Sequence, residues 1–374
     1  MERLSAIPLA VLTMAVATVH AEETSLSTEQ QELRLVPVAE DLEHPWGLAV
    51  LPGELFVVSE RTGQIQTFYN GERQEVEGLP GIHVEGQGGL LDIAASPDYP
   101  DTGWLYFAYS SGDDDATATA LARGRLAGDQ LVEVEELFEQ NRRSEPGPHG
   151  GARLAWMGDD TLLMSVGDRG SPERAEDTQD HAGSVLRLDP QGLAPDDNPM
   201  LEDAGYLPEI YSWGHSNVLG LAVDDDRGNV WAVEARGNGH DELLLIQRGE
   251  KHGWAEEEDE DSDILEQVAS SELFTEEEII EPVHRFSEDV SPSGLAVVNG
   301  EYYPHWEGNL LIGGLDSGQL YRLEMSDSHE VTAVEELFDE TRGPVRDVRQ
   351  GPDGYLYVLV GDERGTLYRL EPEE

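Results

Sequence analysis

The sequence of 374 residues contains no cysteine, a single lysine and few basic residues of any kind. Without cysteine the chain can form no disulfide and offers no thiol for a lipid anchor. Lys251 is the one lysine, and 23 basic residues stand against 78 acidic ones, for a formal net charge of −55. No basic patch is available to neutralise a row of phosphates, so nucleic acid and anionic membranes are not expected as partners.

Long apolar segments are missing after the first 21 residues. Residues 6–19 are apolar, follow an arginine at position 3 and lead into the small-x-small pattern Val19-His20-Ala21. This layout is typical of a cleaved secretory signal, and the run is too short to span a bilayer. We therefore expect a signal peptide at 1–21, a flexible segment at 22–33 and an exported protein, periplasmic or secreted, with no membrane span.

The excess of acids predicts a dependence on salt, because at molar ionic strength the screening length falls to roughly 3 Å and relieves repulsion between surface carboxylates. We interpret the composition as halophilic adaptation. The melting temperature should rise as salt increases from low to molar concentration, which a thermal-shift series in sodium chloride measures. A flat or falling melting temperature would instead indicate that the acids serve a specific ligand.

One pattern recurs along the chain: a short apolar strand, a turn of Gly or Asp, a second apolar strand, and a third. Its six copies begin at Trp46, Gly89, Ala152, Leu219, Ser293 and Val345. Repeats about 45 to 75 residues apart, each a small β-meander, are typical of propeller blades. The sequence therefore predicts an all-β fold, a six-bladed β-propeller over residues 34–372, with residues 33–38 completing the last blade. An acidic insertion at 255–281 falls outside the repeat.

Polar side chains stand at matching points of different repeats, next to the first strand of each. Gln87, His149 and Asn217 hold this position in the second, third and fourth repeats, and Arg346 lies near it in the sixth. Loops of successive blades converge on one face of a propeller, around its axis. We therefore expect these four side chains to line one cavity.

The chain resembles the soluble sugar dehydrogenases that depend on pyrroloquinoline quinone (PQQ), the glucose/sorbosone dehydrogenase group. The resemblance rests on the order of several motifs: HPWGLAV, EGQGGLLDIAASPDY, HGGARL, LLMSVGDRG, GSVLRLDPQG, EIYSWGHSNVLGLAV, DELLLI, SPSGLAV and RDVRQGPDGYLYVL. It spans nearly all of the chain after the signal peptide. It implies a six-bladed propeller, in agreement with the repeats.

The resemblance also implies roles for individual residues. His149 matches the general base that removes the proton of the anomeric hydroxyl group, and a neutral imidazole suits that task near neutral pH. Asp168 matches the carboxylate that orients the base, so we expect it within hydrogen-bonding distance of the ring. Arg153 matches an arginine that supports the site. Gln87, Asn217 and Arg346 match positions that hold the quinone.

Calcium also belongs to the resemblance, since hard oxygen ligands around it polarise the quinone. The backbone carbonyls of Arg236 and Gly237 match a loop that supplies such oxygens. Glu242 matches a carboxylate at a second, structural calcium site, with the carbonyl of His252 opposite. The implied partners are an aldose substrate and an electron acceptor such as a quinone or a cytochrome, and we expect a monomer or a homodimer.

The chain departs from the pattern at four cofactor positions, which hold Ser216, Ala235, Asp316 and Pro344. Three of these positions carry cations in the family pattern, and a charge-assisted hydrogen bond contributes about 1.5–3 kcal/mol. Two alternatives to a quinone enzyme therefore stay open. One is a propeller that binds a sugar or polyol without redox turnover. The other is a calcium-dependent lactonase, which would need three or four oxygen ligands on the axis.

Overall fold

The computed structural model describes residues 23–236, 241–253, 279–287, 290–338 and 342–373. Within these residues, antiparallel strands form six sheets, and the only helices are single turns. The innermost strand of each sheet contacts the innermost strand of the next, all the way round a ring. The predicted six-bladed β-propeller is confirmed.

The strands fall into six blades, numbered along the chain. Strands β1 (Thr24–Ser27) and β2 (Glu32–Leu42) come first, and the two short helices are α1 (Tyr99–Thr102) and α2 (Pro172–Ala175). Blade 1 holds β3 (Pro45–Leu51), β4 (Leu55–Glu60), β5 (Gln64–Tyr69) and β6 (Glu72–Val76). Blade 2 holds β7 (Leu90–Ala95), β8 (Trp104–Gly112), β9 (Thr117–Ala127) and β10 (Gln130–Glu139). Blade 3 holds β11 (Gly151–Trp156), β12 (Leu162–Val166), β13 (Ser184–Leu188) and β14 (Ile210–Trp213).

The second half of the ring follows the same plan. Blade 4 holds β15 (Val218–Asp224), β16 (Asn229–Glu234), β17 (Glu242–Leu245) and β18 (His284–Arg285). Blade 5 holds β19 (Pro292–Val297), β20 (Leu310–Gly314), β21 (Leu320–Met325) and β22 (Val331–Glu336). Blade 6 holds β23 (Val345–Gln350), β24 (Leu356–Val360) and β25 (Gly365–Pro372).

The ring closes through the N-terminal part of the chain, as the sequence predicts. Strand β2 pairs antiparallel with β25 and supplies the fourth strand of blade 6. The structure differs from the predicted flexible segment at 22–33, because β1 pairs with β2 as a fifth strand. Leu26 is buried there against the core of blades 5 and 6, which accounts for the order of so short a strand.

Burial along the strands explains their sequences. Second strands pack between neighbouring blades on both faces, so β12 (LLMSV) and β24 (LYVLV) are buried at every position. The outermost strand β22 (VTAVEE) alternates between half-buried and exposed residues, with a period of two. A strand that is covered on both faces needs a continuous apolar run, and a strand at the solvated edge needs alternating residues. The sequences of the blades follow this rule from the axis to the rim.

Four charged side chains on the axis, three of them buried and the fourth, Arg349, 20% exposed, join blades that are distant in sequence. Asp92 accepts hydrogen bonds from the backbone N–H of Leu154 at 2.8 Å and from the Nη2 of Arg349 at 2.7 Å. Asp347 makes the equivalent contacts across the closure of the ring: it accepts from the Leu48 N–H at 3.1 Å and from the Arg349 Nε at 3.0 Å. The Arg153 Nη1 lies 3.1 Å from Asp347. Asp92 thus joins the inner strands of blades 2 and 3, and Asp347 joins the inner strands of blades 6 and 1.

The single lysine is part of the interior. Lys251 is 1% exposed, and its Nζ lies 2.5 Å from Oε2 of Glu176, which is buried at the end of α2. Its backbone bridges Trp213 on one side and Ile279 on the other. Lys251 therefore fastens the outer edge of blade 3 to the segment that follows blade 4's third strand.

Among the residues that the structure describes, no helix has the length and hydropathy needed to cross a membrane. The predicted signal peptide at 1–21 and residues 255–278 of the acidic insertion lie outside the described residues.

Candidate active site

The four polar residues singled out from the repeats lie at one end of the ring. Gln87, His149 and Asn217 directly precede or approach the innermost strands β7, β11 and β15, and Arg346 is the second residue of β23. Inner strands of all blades run in the same direction from this face. The structure therefore gathers these residues around one mouth of the axis.

The backbone of His149 is held in a conformation that histidine seldom adopts. Its φ of 56° lies in the left-handed region, which costs energy for a side chain with a Cβ. The Oε1 of Gln87 accepts a hydrogen bond from its N–H at 2.9 Å, and the Arg169 N–H donates to its carbonyl at 3.3 Å. Contacts from two other loops thus fix the conformation that aims the ring.

Asn217 lies against the same loop. A Cβ at Gly167 would stand 2.2 Å from the His149 carbonyl oxygen and 3.0 Å from the Asn217 Oδ1, so only glycine fits between them. The Asn217 Oδ1 also accepts a hydrogen bond from the Gly151 N–H at 3.2 Å. This close packing brings blades 3 and 4 together beside the His149 ring.

Asp168 holds the imidazole ring. Its Oδ1 lies 2.7 Å from the Nδ1 of His149 and accepts from the Gly170 N–H at 2.7 Å, while its Oδ2 accepts from the Ser216 hydroxyl at 3.2 Å. The Asp168 side chain is 1% exposed and the His149 side chain 30% exposed. A proton on Nδ1 shared with the carboxylate leaves the lone pair on Nε2, the nitrogen that can accept a proton.

Charges around the ring decide how strongly it holds a proton. Burial alone would lower the pKa of His149, but the hydrogen bond and charge of Asp168, together with the charge of Glu234, outweigh burial and the opposing charge of Arg169. The net effect raises the pKa of His149 above its usual value. Such a ring is a stronger base than free imidazole and becomes available at a higher pH.

Arg153 lies deeper than the predicted site. Its side chain is 2% exposed and stacks on Trp46, with the guanidinium carbon 4.2 Å from the ring centre. Its guanidinium donates to the backbone carbonyls of Leu219 and Arg346, the latter at 2.7 Å. Arg153 thus holds the backbone that carries Arg346, and its supporting role in the site stays a prediction.

Two arginines form a cationic rim at the mouth. The Nε of Arg346 is buried without a hydrogen-bond partner among the described residues, and its Nη2 lies 3.2 Å from Asp362. Burial and the nearby charges of Arg61 and Arg153 lower the pKa of Arg346. Arg61 donates to the carbonyl of Gly86 at 2.8 Å, in the loop that carries Gln87. A buried, unsatisfied guanidinium N–H beside a second guanidinium fits an anionic group such as a cofactor carboxylate.

Sequence reasoning did not single out Arg61. The usable signal is its register: it follows the second strand of blade 1, as Asp168, Arg236 and Asp362 follow the second strands of blades 3, 4 and 6. Charged residues at this point reach the same face as the residues before the inner strands.

The positions that depart from the family pattern supply no cation in the structure. The Ser216 hydroxyl points inward to Asp168, and Asp316 accepts a hydrogen bond from the Ser291 hydroxyl. The backbone carbonyl of Pro344 accepts from the Gly361 N–H at 2.8 Å, and Ala235 carries no polar side-chain group. The cationic side chains described at the mouth are those of Arg61 and Arg346.

The residues predicted for structural calcium do not fit that ion. The Glu242 carboxylate is 2.8 Å from the Arg236 Nη1 and 3.1 Å from the Arg285 Nε, so guanidinium groups take both of its oxygens. Arg236 also reaches the Gly253 carbonyl at 3.4 Å, next to the predicted ligand His252. Burial raises the pKa of Glu242 to about 6, against the opposing charges of Arg236 and Arg285. A guanidinium stands where the second calcium was predicted.

The other calcium prediction concerns the backbone carbonyls of Arg236 and Gly237. Gly237 lies outside the described residues, so that site stays a prediction. Burial and the charge of His215 lower the pKa of His252 to about 2, and its ring stacks on His215 with the centres 5.1 Å apart. His252 is therefore a neutral, packed residue.

Comparison with known proteins gives consistent matches. The sequence signature of the family described as glucose/sorbosone dehydrogenase matches residues 42–369. An uncharacterised protein of Synechocystis is 34% identical over 371 residues, with 92% of this chain and 88% of that protein covered. The aldose sugar dehydrogenase of Escherichia coli is 32% identical over 346 residues, covering 90% and 92%. The PQQ-bound aldose sugar dehydrogenase of Streptomyces coelicolor superposes with a TM-score of 0.73 at 28% identity, covering 91% and 98%.

Proposed function

Because the chain belongs to the glucose/sorbosone dehydrogenase family, we propose that it is an exported enzyme that oxidises the anomeric hydroxyl group of an aldose to the lactone. The observation that carries the proposal is the pair of His149 and Asp168 at the mouth of the axis, 2.7 Å apart. A half-exposed imidazole oriented by a buried carboxylate is the arrangement that removes a proton from a hydroxyl group.

Three residues have proposed roles in the removal of the proton. His149 accepts the hydroxyl proton on Nε2, and the developing imidazolium is stabilised by Asp168 through Nδ1. Gln87 keeps the His149 backbone in the conformation that presents the ring, through its 2.9 Å hydrogen bond. As the O–H bond breaks, the electron pair left on oxygen forms the carbonyl of the lactone, and the C1 hydrogen leaves as hydride.

The hydride needs an acceptor, and PQQ, when bound, supplies one. Arg61 and Arg346 would hold its carboxylates, since the buried Nε of Arg346 has no partner among the described residues. Gln87 follows the glycine whose carbonyl Arg61 contacts, Asn217 lies against the loop of His149, and both are proposed to orient the cofactor. Calcium, held by the carbonyls of the Arg236–Gly237 loop, belongs to the same proposal and would polarise the quinone when bound. A quinone or cytochrome is the proposed final electron acceptor.

The test is reconstitution of the purified protein with PQQ and calcium, followed by reduction of an artificial dye with a panel of aldoses. We expect dye reduction that requires both PQQ and an aldose, and formation of the corresponding lactone. Omission of PQQ and replacement of the aldose by its alditol, which has no anomeric carbon, are the matched controls. Equal rates with aldose and alditol would contradict oxidation at the anomeric carbon.

A second candidate is a sugar-binding propeller without redox turnover. It is favoured by the absence of a cation at Ser216, Asp316 and Pro344, the three positions where the family pattern has one. Calorimetry with PQQ and with aldoses separates the two: sugar binding without quinone binding supports the second candidate.

A further inference from the structure

Behind Asp168 lies a second buried carboxylate that the reaction does not use. Glu234 is 2% exposed at the end of β16, and its Oε1 accepts a hydrogen bond from the Ser216 N–H at 2.6 Å. Its Oε2 lies 3.3 Å from the Nδ1 of His215, whose Nε2 is 2.8 Å from the Ser212 hydroxyl. The Oε1 of Glu234 also lies 3.6 Å from the Nε of the Arg236 side chain, which is buried and opposes part of the carboxylate's charge. The remaining charge still acts on nearby groups, because the interior screens poorly.

Ser216 connects the two carboxylates. Its N–H donates to Glu234, its hydroxyl donates to Asp168 at 3.2 Å, and its carbonyl accepts from the Asp168 N–H at 2.8 Å. Ser216 is fully buried, so water does not compete for these bonds. The departure from the family pattern at this position therefore brings in a hydroxyl group bonded to the carboxylate that orients His149.

We propose that Ser216 and Glu234 are positioning residues that act on His149 through and behind Asp168, and that they set how firmly the His149 ring holds its proton. The inference rests on the proposed function only for its catalytic meaning. The hydroxyl of Ser216 takes part of the negative charge of Asp168 and so weakens its hold on the imidazolium. The charge of Glu234 attracts the imidazolium and so strengthens that hold.

The two residues therefore act in opposite directions. Asp168, Glu234 and Arg169 are the charged groups that influence the ring, the first two favouring its charged form and Arg169 opposing it. Removing the Ser216 hydroxyl leaves more charge of Asp168 for the ring, which should raise the pKa of His149. Neutralising Glu234 removes an attraction and should lower the pKa of His149. If either residue had a merely structural role, the two substitutions would not shift the pKa of His149 in opposite directions.

The test is an NMR titration of the His149 ring in the protein without sugar or cofactor. Ser216→Ala should move the midpoint up, and Glu234→Gln should move it down, each by about 0.3 pH unit or more. The amide of Glu234→Gln keeps an acceptor for the Ser216 N–H, and Ser216→Thr keeps the hydroxyl and should leave the midpoint unchanged. The exposed His305 gives a reference signal that none of these substitutions should move.

A double substitution isolates the route. In an Asp168→Asn background, Ser216→Ala should no longer shift the His149 midpoint, because its effect passes through the carboxylate. Shifts of the same sign for Ser216→Ala and Glu234→Gln, or no shift in either, would overturn the proposal. Opposite shifts in a protein that oxidises no sugar would support it and reject the proposed function, so the two outcomes are separable.

Discussion

Replacing His149 by alanine should lower the turnover of aldose oxidation by at least about 10²-fold, the usual size of the effect of a lost general base. The reason is that Nε2 of His149 is the atom proposed to receive the hydroxyl proton, while Asp168 is buried behind it and cannot reach a substrate. Steady-state dye reduction by the reconstituted enzyme measures the effect. PQQ affinity should change little, because His149 is not one of the groups proposed to hold the cofactor's carboxylates.

Two further variants sharpen this test. His149→Asn suits the left-handed backbone at this position better than alanine does, and its amide cannot accept a proton near neutral pH. It should therefore keep the loop intact and still be inactive. His305→Ala, at an exposed histidine away from the mouth, should retain full activity. Activity of His149→Asn within tenfold of the unsubstituted protein would contradict the role of a base.

Removing the side chain of Asp92 should lower the free energy of unfolding by about 3–5 kcal/mol, the cost of breaking a buried ion pair from one side. Asp92→Ala leaves Arg349 with Asp347 as its remaining carboxylate and takes the acceptor away from the Leu154 N–H. The Leu154 N–H is fully buried and cannot be solvated instead, and the Arg349 side chain, which is 20% exposed, can be solvated only in part. Urea denaturation measures the loss in free energy of unfolding, and a fixed, high salt concentration screens the repulsion between surface carboxylates during the measurement.

The matched control is an ion pair at the rim. Arg125 and Glu133 lie 2.8 Å apart with side chains 37% and 58% exposed, so Glu133→Ala should cost no more than about 1 kcal/mol. Asp92→Asn keeps an oxygen for the Leu154 N–H and should cost less than Asp92→Ala. If Asp92→Ala lowered the free energy of unfolding no more than Glu133→Ala does, the contacts of Asp92 between blades would not stabilise the ring.

The fold could be predicted because its information is local and repeated. Each blade can be recognised in the sequence by two apolar strands joined by a Gly or Asp turn. Strand β2 shows the alternation of apolar and polar residues expected of the strand that closes the ring. Strand β1 could not be found this way. Its sequence, TSLS, has one apolar residue, and it becomes a strand only through pairing with β2 and burial of Leu26.

The same division applies to the site. His149 and Asp168 follow fixed points of the repeat, so register and resemblance were enough to pair them, and the structure places them 2.7 Å apart. The bonds of Ser216 to two carboxylates involve three loops whose adjacency is set by how blades 3 and 4 meet. The Glu242 carboxylate could bind either a calcium ion or a guanidinium group, and its position in the sequence does not decide between them. The structure pairs it with Arg236.

The burial of Lys251 has a practical consequence for handling the protein. Amine-reactive reagents, such as succinimidyl esters and glutaraldehyde, need an exposed primary amine, and the only lysine of the chain is 1% exposed and paired with Glu176. In the folded protein such reagents should modify the α-amino group alone. Attachment to an electrode or resin through amines would therefore use a single point on each molecule.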